Sequence, residues 1–182
     1  MPDSVDRLIS SWRETDPDLD VSSVSIFTRM RRIRVVAEQR MGNTLAPFDL
    51  TLTDLSTLSI LYRAEPTGLR MAALAEQLTL SKGSLTSRIQ RLHAQRLIEI
   101  GHPIADRRGR TVRITELGGE RFRAALPHHL ATQQQMLGPL DTAERDQLAQ
   151  LLAKLLTGLE RTATSSSPTP NGGAGDAEST PP

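Results

Sequence analysis

Cysteine is absent from the 182 residues. That removes disulfide frameworks, thiolate nucleophiles, thiol redox sensing and cysteine-bound zinc from the functions open to the chain. Missing too is any apolar run near the roughly 20 residues of a membrane-spanning helix. The opening MPDSVDRLISSWRETDPD has neither the basic lead nor the apolar middle of a secretory signal. A soluble, cytoplasmic protein with no membrane partner is the expectation. Strong net charge is lacking as well, since the formal total is +1 at pH 7. At 37% hydrophobic, the chain has apolar material for one ordinary core or two very small ones.

The small total conceals a division. Between Lys82 and Arg113 stand eight bases (Lys82, Arg88, Arg91, Arg96, Arg107, Arg108, Arg110, Arg113) and two acids, Glu99 and Asp106, a surplus of six that leaves the remainder five short. A basic segment on an otherwise acidic chain is an electrostatic footprint for a polyanion. A solvated charged face explains one such helix; it fits less well where a helix and a hairpin share the sign.

Along the chain, SVDRLISSW sets Val5, Leu8, Ile9 and Trp12 on one side of a short amphipathic helix, stopped by ETDPDLD. Val24, Phe27, Met30, Ile33 and Val36 or Ala37 then recur at three-to-four spacing over about five helical turns, predicting a long helix capped by Ser22 or Ser23 and ended near Gly42. Leu52, Leu55, Leu58 and Leu61 predict a third helix, capped by Thr51 or Thr53 and broken by PTG at 66–68. MAALAEQLTL and SKGSLTSRIQRLHAQR follow as two short helices. Ser81 is the N-cap of the second, and Leu85, Ile89 and Leu92 are its buried stripe. Lys82, Ser84, Thr86, Ser87, Gln90 and Arg91 are left on other faces. Small, hydroxylated and basic first turns suit a recognition helix, because they let the backbone approach base edges and donate to bases and phosphates.

The strands LIEI and TVRIT alternate with period two, so that Ile98 and Ile100 face Val112 and Ile114 across the polar turn GHPIADRRGR. A helix-turn-helix followed by such a hairpin is a winged helix. An arginine-rich tip suits the minor groove, whose narrow walls concentrate negative potential. Gly109 permits the turn, and Asp106 is placed to orient Arg108. The fold class expected is mainly α: a winged helix-turn-helix with a helical dimerisation region and a small β-hairpin wing. Lys82, Ser84, Thr86, Ser87, Arg91, Asp106, Arg108 and Arg110 are the candidate DNA contacts.

LTLSKGSLTSRIQRLHAQRLIEI followed by ADRRGRTVRITELG resembles the recognition helix and wing of the MarR family of bacterial transcriptional regulators. Asp106, Arg108, Thr115 and Gly118 stand at its wing-signature positions, with Ile114 where leucine is usual. The resemblance spans residues 22 to 160. Arg96 stands where the family commonly has glycine between helix and wing, which asks a non-glycine residue to take that turn. The added helix with Trp12 followed by PDLD resembles the urate-responsive subgroup. The resemblance implies a ligand site in which Trp12 and one arginine, Arg88, take part. The subgroup's aspartate falls on Ser56 and its second arginine on Ile100. A site so altered has lost a charge pair and gained apolar surface, and implies a small aromatic anion less polar than urate. Read without the resemblance, Trp12 is more often a packing anchor than a ligand platform, and Arg88 a phosphate contact or a strut between helices.

DTAERDQLAQLLAKLLTGLE opens on Asp141 and Glu144, a cap with an acidic third residue, and continues with Leu148, Leu151, Leu152, Leu155, Leu156 and Leu159 at helical spacing. So wide a stripe either closes the monomer core or meets a second chain. The resemblance favours a homodimer through the long helices at 22–46 and 116–136, with two recognition helices on a pseudo-palindromic operator in double-stranded DNA. The organisation expected is an added helix and linker over 1–21, a dimerisation helix over 22–48, a winged helix-turn-helix over 49–119, C-terminal dimerisation helices over 120–161 and a disordered tail over 162–182. No catalytic set, cofactor motif or metal site emerges. His128 and His129 are adjacent on a helix and point apart, and His102 has no acid partner set. The expectation is a regulator, a repressor relieved by a ligand, rather than an enzyme. The alternative is a constitutive or architectural DNA-binding protein.

Overall fold

A computed structural model of the chain describes residues 2–79, 81–101 and 110–165. Two compact units are present, residues 1–136 and 137–182. The first opens with α1 (Ser4–Thr15) and α2 (Ser22–Leu45). Asp3 caps α1 by accepting from the backbone of Val5 and Asp6, and the Asp6 carboxylate returns to the Asp3 N–H. Val5 and Ile9 bury their side chains with Val21, against Val24 of α2. Arg29 ties the same end down, donating to Asp3 Oδ2 at 2.8 Å and to Asp6 Oδ1 at 2.5 Å. Its guanidinium holds the Asp3 carboxyl below the ordinary carboxylate value.

Helix α2 departs from the expectation at both ends. Val21 is the N-cap without a side-chain bond, and Asp20 rather than a serine supplies the acceptor, taking the Ser22 N–H at 2.9 Å. The helix does not stop near Gly42 but runs on to Leu45, because the chain turns only where Pro47 enters a short 3-10 segment, Ala46–Phe48, and Asp49 takes the left-handed region at φ 52°. A lone glycine in a helix costs about 1 kcal/mol relative to alanine, which packing elsewhere in a long helix offsets.

Next come α3 (Leu52–Arg63), β1 (Leu69–Arg70), α4 (Met71–Leu78), α5 (Lys82–Ala94), β2 (Ile98–Gly101), β3 (Thr111–Ile114) and α6 (Glu116–Met136). The expected hairpin register is present, Ile98 opposite Ile114 and Ile100 opposite Val112. The expected pair of strands is in fact three, ordered β1-β3-β2, since Leu69 pairs with Val112 and Arg70 with Thr111. Leu58, Leu61, Leu74, Leu92, Leu97 and Val112 form the centre of one core beneath α5. The described chain is therefore mainly helical with one small antiparallel sheet.

In the second unit α7 (Thr142–Ser165) begins with the expected capping box. The Asp141 carboxylate accepts from the Glu144 N–H at 2.9 Å, and Glu144 accepts from the Asp141 N–H at 2.8 Å. Leu148, Leu151, Leu152, Leu156 and Leu159 are exposed along it.

Candidate nucleic-acid interface

Two helices and a three-residue break carry the site. Helix α4 ends on Thr79, whose left-handed backbone (φ 52°) turns the chain, and Ser81 then caps α5 by accepting from the Ser84 N–H. Leu85, Ile89 and Leu92 point into the core as expected. That placement turns Gly83, Ser84, Thr86, Ser87 and Gln90 to solvent. The exposed face of α5 is thus small and hydroxylated, with room for a duplex to approach the backbone. Helix α5 starts at Lys82, and the exposed Arg110 stands where β3 begins. Asp106 and Arg108, with the glycine of the turn, lie outside the described residues.

At the base of the wing, Arg96 takes the left-handed turn at φ 59°, the conformation for which glycine would be the default residue. The Thr115 hydroxyl donates to the Arg96 carbonyl at 2.7 Å and accepts from the Gly118 N–H at 3.0 Å, so it caps α6 and closes the wing in one residue. Gly118 is required by contact. A Cβ there would run into the Leu97 carbonyl oxygen.

Arg88 and Arg91 turn inward. Asp54, in the first turn of α3, is fully buried, and its Oδ2 accepts from the Thr51 N–H at 2.7 Å and the Thr51 hydroxyl at 2.5 Å. Its Oδ1 accepts from Arg88 Nη1 at 2.9 Å, and Arg91 Nη2 pairs with Oδ2. Arg88 Nη1 also donates to Thr51 Oγ1 at 3.0 Å. Arg91, expected on the DNA face, is instead half-buried against α3. The strut reading of Arg88 is the one its geometry takes. The sequence offered Thr51 or Thr53 as the cap, of which Thr51 is the one used, and Asp54 was overlooked, although Thr51-Leu52-Thr53-Asp54 has the capping-box spacing that marks it.

Of the ligand constellation, only Arg88 stands in the walls of the cleft it borders; Trp12 and Ser56 are not among its lining residues. Ser56 is exposed and donates to the Leu52 carbonyl, while Trp12 stands 42% exposed on α1. Arg88 lines that cleft, of about 520 Å³, with Glu38, Gly42, Ala46, Thr51 and Thr53. Ile100 is half-buried beside the core. Among the described residues no group of three metal-ligating side chains occurs, and no helix is long and apolar enough to cross a membrane. His128 packs on Phe48 with ring centroids 5.3 Å apart, and burial pushes the pKa of His129 down; His102 lies outside the described residues.

This architecture defines a winged helix-turn-helix protein. Residues 48–109 match the MarR family model. PecS, an HTH-type transcriptional regulator of Dickeya dadantii, is 22% identical over 152 residues, which are 83% of this chain and 92% of PecS. AbsC, a MarR family transcriptional regulator from Streptomyces coelicolor, superposes with a TM-score of 0.68 at 27% identity, over 78% of this chain and 96% of its own. BpsR of Bordetella bronchiseptica, whose DNA binding is regulated by 6-hydroxynicotinic acid, has the same fold at 23% identity, with a TM-score of 0.65 over 71% of this chain and 91% of its own. Over these stretches the chain is similar to MarR family transcriptional regulators, and its winged-helix fold is theirs.

Proposed function

We propose that the protein is a homodimeric, sequence-specific DNA-binding repressor, released from a pseudo-palindromic operator by a small aromatic anion. The observation that carries the reading is the outer face of α5, where Ser84, Thr86 and Ser87 stand exposed at the start of a helix whose other face is locked in the core. Hydroxyls at a helix N-terminus in the major groove donate to bases and phosphates. Lys82 supplies charge at the same end, and Arg110 with Arg108, the latter oriented by Asp106, would carry it into the neighbouring minor groove.

The dimer is supported by two exposed apolar stripes. On α2, Phe27 and Ile33 are 56% and 66% exposed, and on α7 Leu151 is 58% exposed. Exposed apolar stripes of this kind, each on its own unit, support an interface. A twofold dimer would be expected to set two α5 helices about one DNA turn, roughly 34 Å, apart.

The effector reading rests on Arg88. Its guanidinium borders the cleft and offers a planar anion a bidentate partner. A ligand that draws Arg88 from Asp54 favours a displaced α5, and its leverage equals its difference in affinity between the two positions. Calorimetric titration of planar aromatic acids, read beside operator release, tests this. Loss of binding in Arg88→Ala with retention in Trp12→Ala supports the cleft; release undiminished in both variants puts the effector elsewhere. Failure of every acid to release the operator would favour the constitutive binder.

A further inference from the structure

Asp54 has no exposure at all, yet among the described residues it is the only carboxylate partner of either arginine of α5. Helix α5 carries Lys82, Arg88 and Arg91 and no acid. Left free, two guanidinium groups on a helix lying against DNA would seek phosphates, a contact that strengthens binding to every sequence alike. Here both are bent back onto α3, and the exposed side chains of α5 include Ser84, Thr86, Ser87 and Gln90, which can read base edges by hydrogen bonding. Resting on the DNA-binding reading above, the geometry points to Asp54 as a specificity-determining residue that withholds Arg88 and Arg91 from the phosphate backbone.

The arrangement has the parts such a role needs. Asp54 is itself fixed from two sides by Thr51, through the backbone N–H and the hydroxyl, so it cannot follow the arginines outward. Arg88 and Arg91 remain 24% and 39% exposed, so release needs only rotation of long side chains and no opening of the core. Withdrawing them lowers the sequence-independent share of the binding energy and leaves the share that α5 earns from base contacts. Asp54 acts through the two arginines and touches no DNA.

Asp54→Asn keeps an acceptor for Thr51 and removes the charge. Binding is measured by fluorescence anisotropy over a salt series, on the tightest duplex selected from a random pool and on a scrambled duplex of equal length. The variant is expected to bind the scrambled duplex about tenfold more tightly at low salt, with a salt slope steeper by about one unit for each arginine freed. The ratio of selected to scrambled affinity falls accordingly. Adding Arg88→Gln and Arg91→Gln to Asp54→Asn returns the slope to that of the unaltered protein. A folded Asp54→Asn with unchanged slope and ratio overturns the proposal. So does an Arg88→Gln, Arg91→Gln protein with Asp54 intact whose slope drops by a unit or more, because the arginines would then already touch phosphate. This second comparison decides the matter if Asp54→Asn does not fold. A protein that binds no duplex defeats the DNA-binding reading itself, an outcome distinct from either.

Discussion

Gly118 lies at the first turn of α6, where the helix crosses the end of the recognition segment closely enough that a Cβ would enter the space of the Leu97 carbonyl and crowd Ile114. Backbone on one side and a core isoleucine on the other leave nothing flexible to move aside. Gly118→Ala is therefore expected to lower stability by about 1 to 3 kcal/mol, the usual range for overpacking, as read by urea denaturation. At the other end of the unit, Arg29 holds Asp3 and Asp6, and the bonded Asp3 carboxyl titrates below its ordinary value. A carboxylate whose folded value is depressed adds stability that is fully present above its unfolded value and is lost as pH falls through the folded one. Acidification below the ordinary carboxylate range should then free α1, whose 12 residues do not hold a helix alone. Trp12, the one tryptophan, reports it by a red-shifted emission that precedes loss of far-UV helicity. Arg29→Ala should show the shifted emission already at neutral pH, and an emission that stays put in that variant would contradict the account.

Elements whose period is strong were legible before any coordinate. The stripes Leu52-Leu55-Leu58-Leu61 and Leu85-Ile89-Leu92 are buried as read, and the alternation in LIEI and TVRIT set the register of β2 on β3. Two things were hidden for physical reasons. The two residues of β1 are too short for any alternation, and their pairing with β3 comes from Gly68, which at φ 69° turns Leu69 and Arg70 alongside Val112 and Thr111. Asp54 was hidden because burial of a carboxylate depends on partners 34 and 37 residues away in sequence, Arg88 and Arg91, which no local pattern joins. The wing remains a matter of sequence at its tip. Arg108→Ala should weaken operator binding by about 1 to 3 kcal/mol and flatten the salt slope by about one unit, with Asp106→Ala acting in the same direction. A salt series that leaves both quantities unchanged removes the wing from recognition.

For the whole molecule, the exposed apolar residues of α2 and, separately, the exposed leucines of α7 support the proposed dimer. If those leucines are intersubunit, Leu152→Glu with Leu156→Glu should give a monomer or an unfolded chain without operator binding, although every DNA-facing residue is intact. The central claim, that two copies of this winged helix read one twofold sequence, is tested most directly by light scattering of the protein bound to a duplex selected from a random pool. The account predicts two chains on a selected sequence with inverted half-sites about ten base pairs apart, centre to centre. One chain bound to a sequence without such symmetry, or no sequence enriched at all, would contradict it.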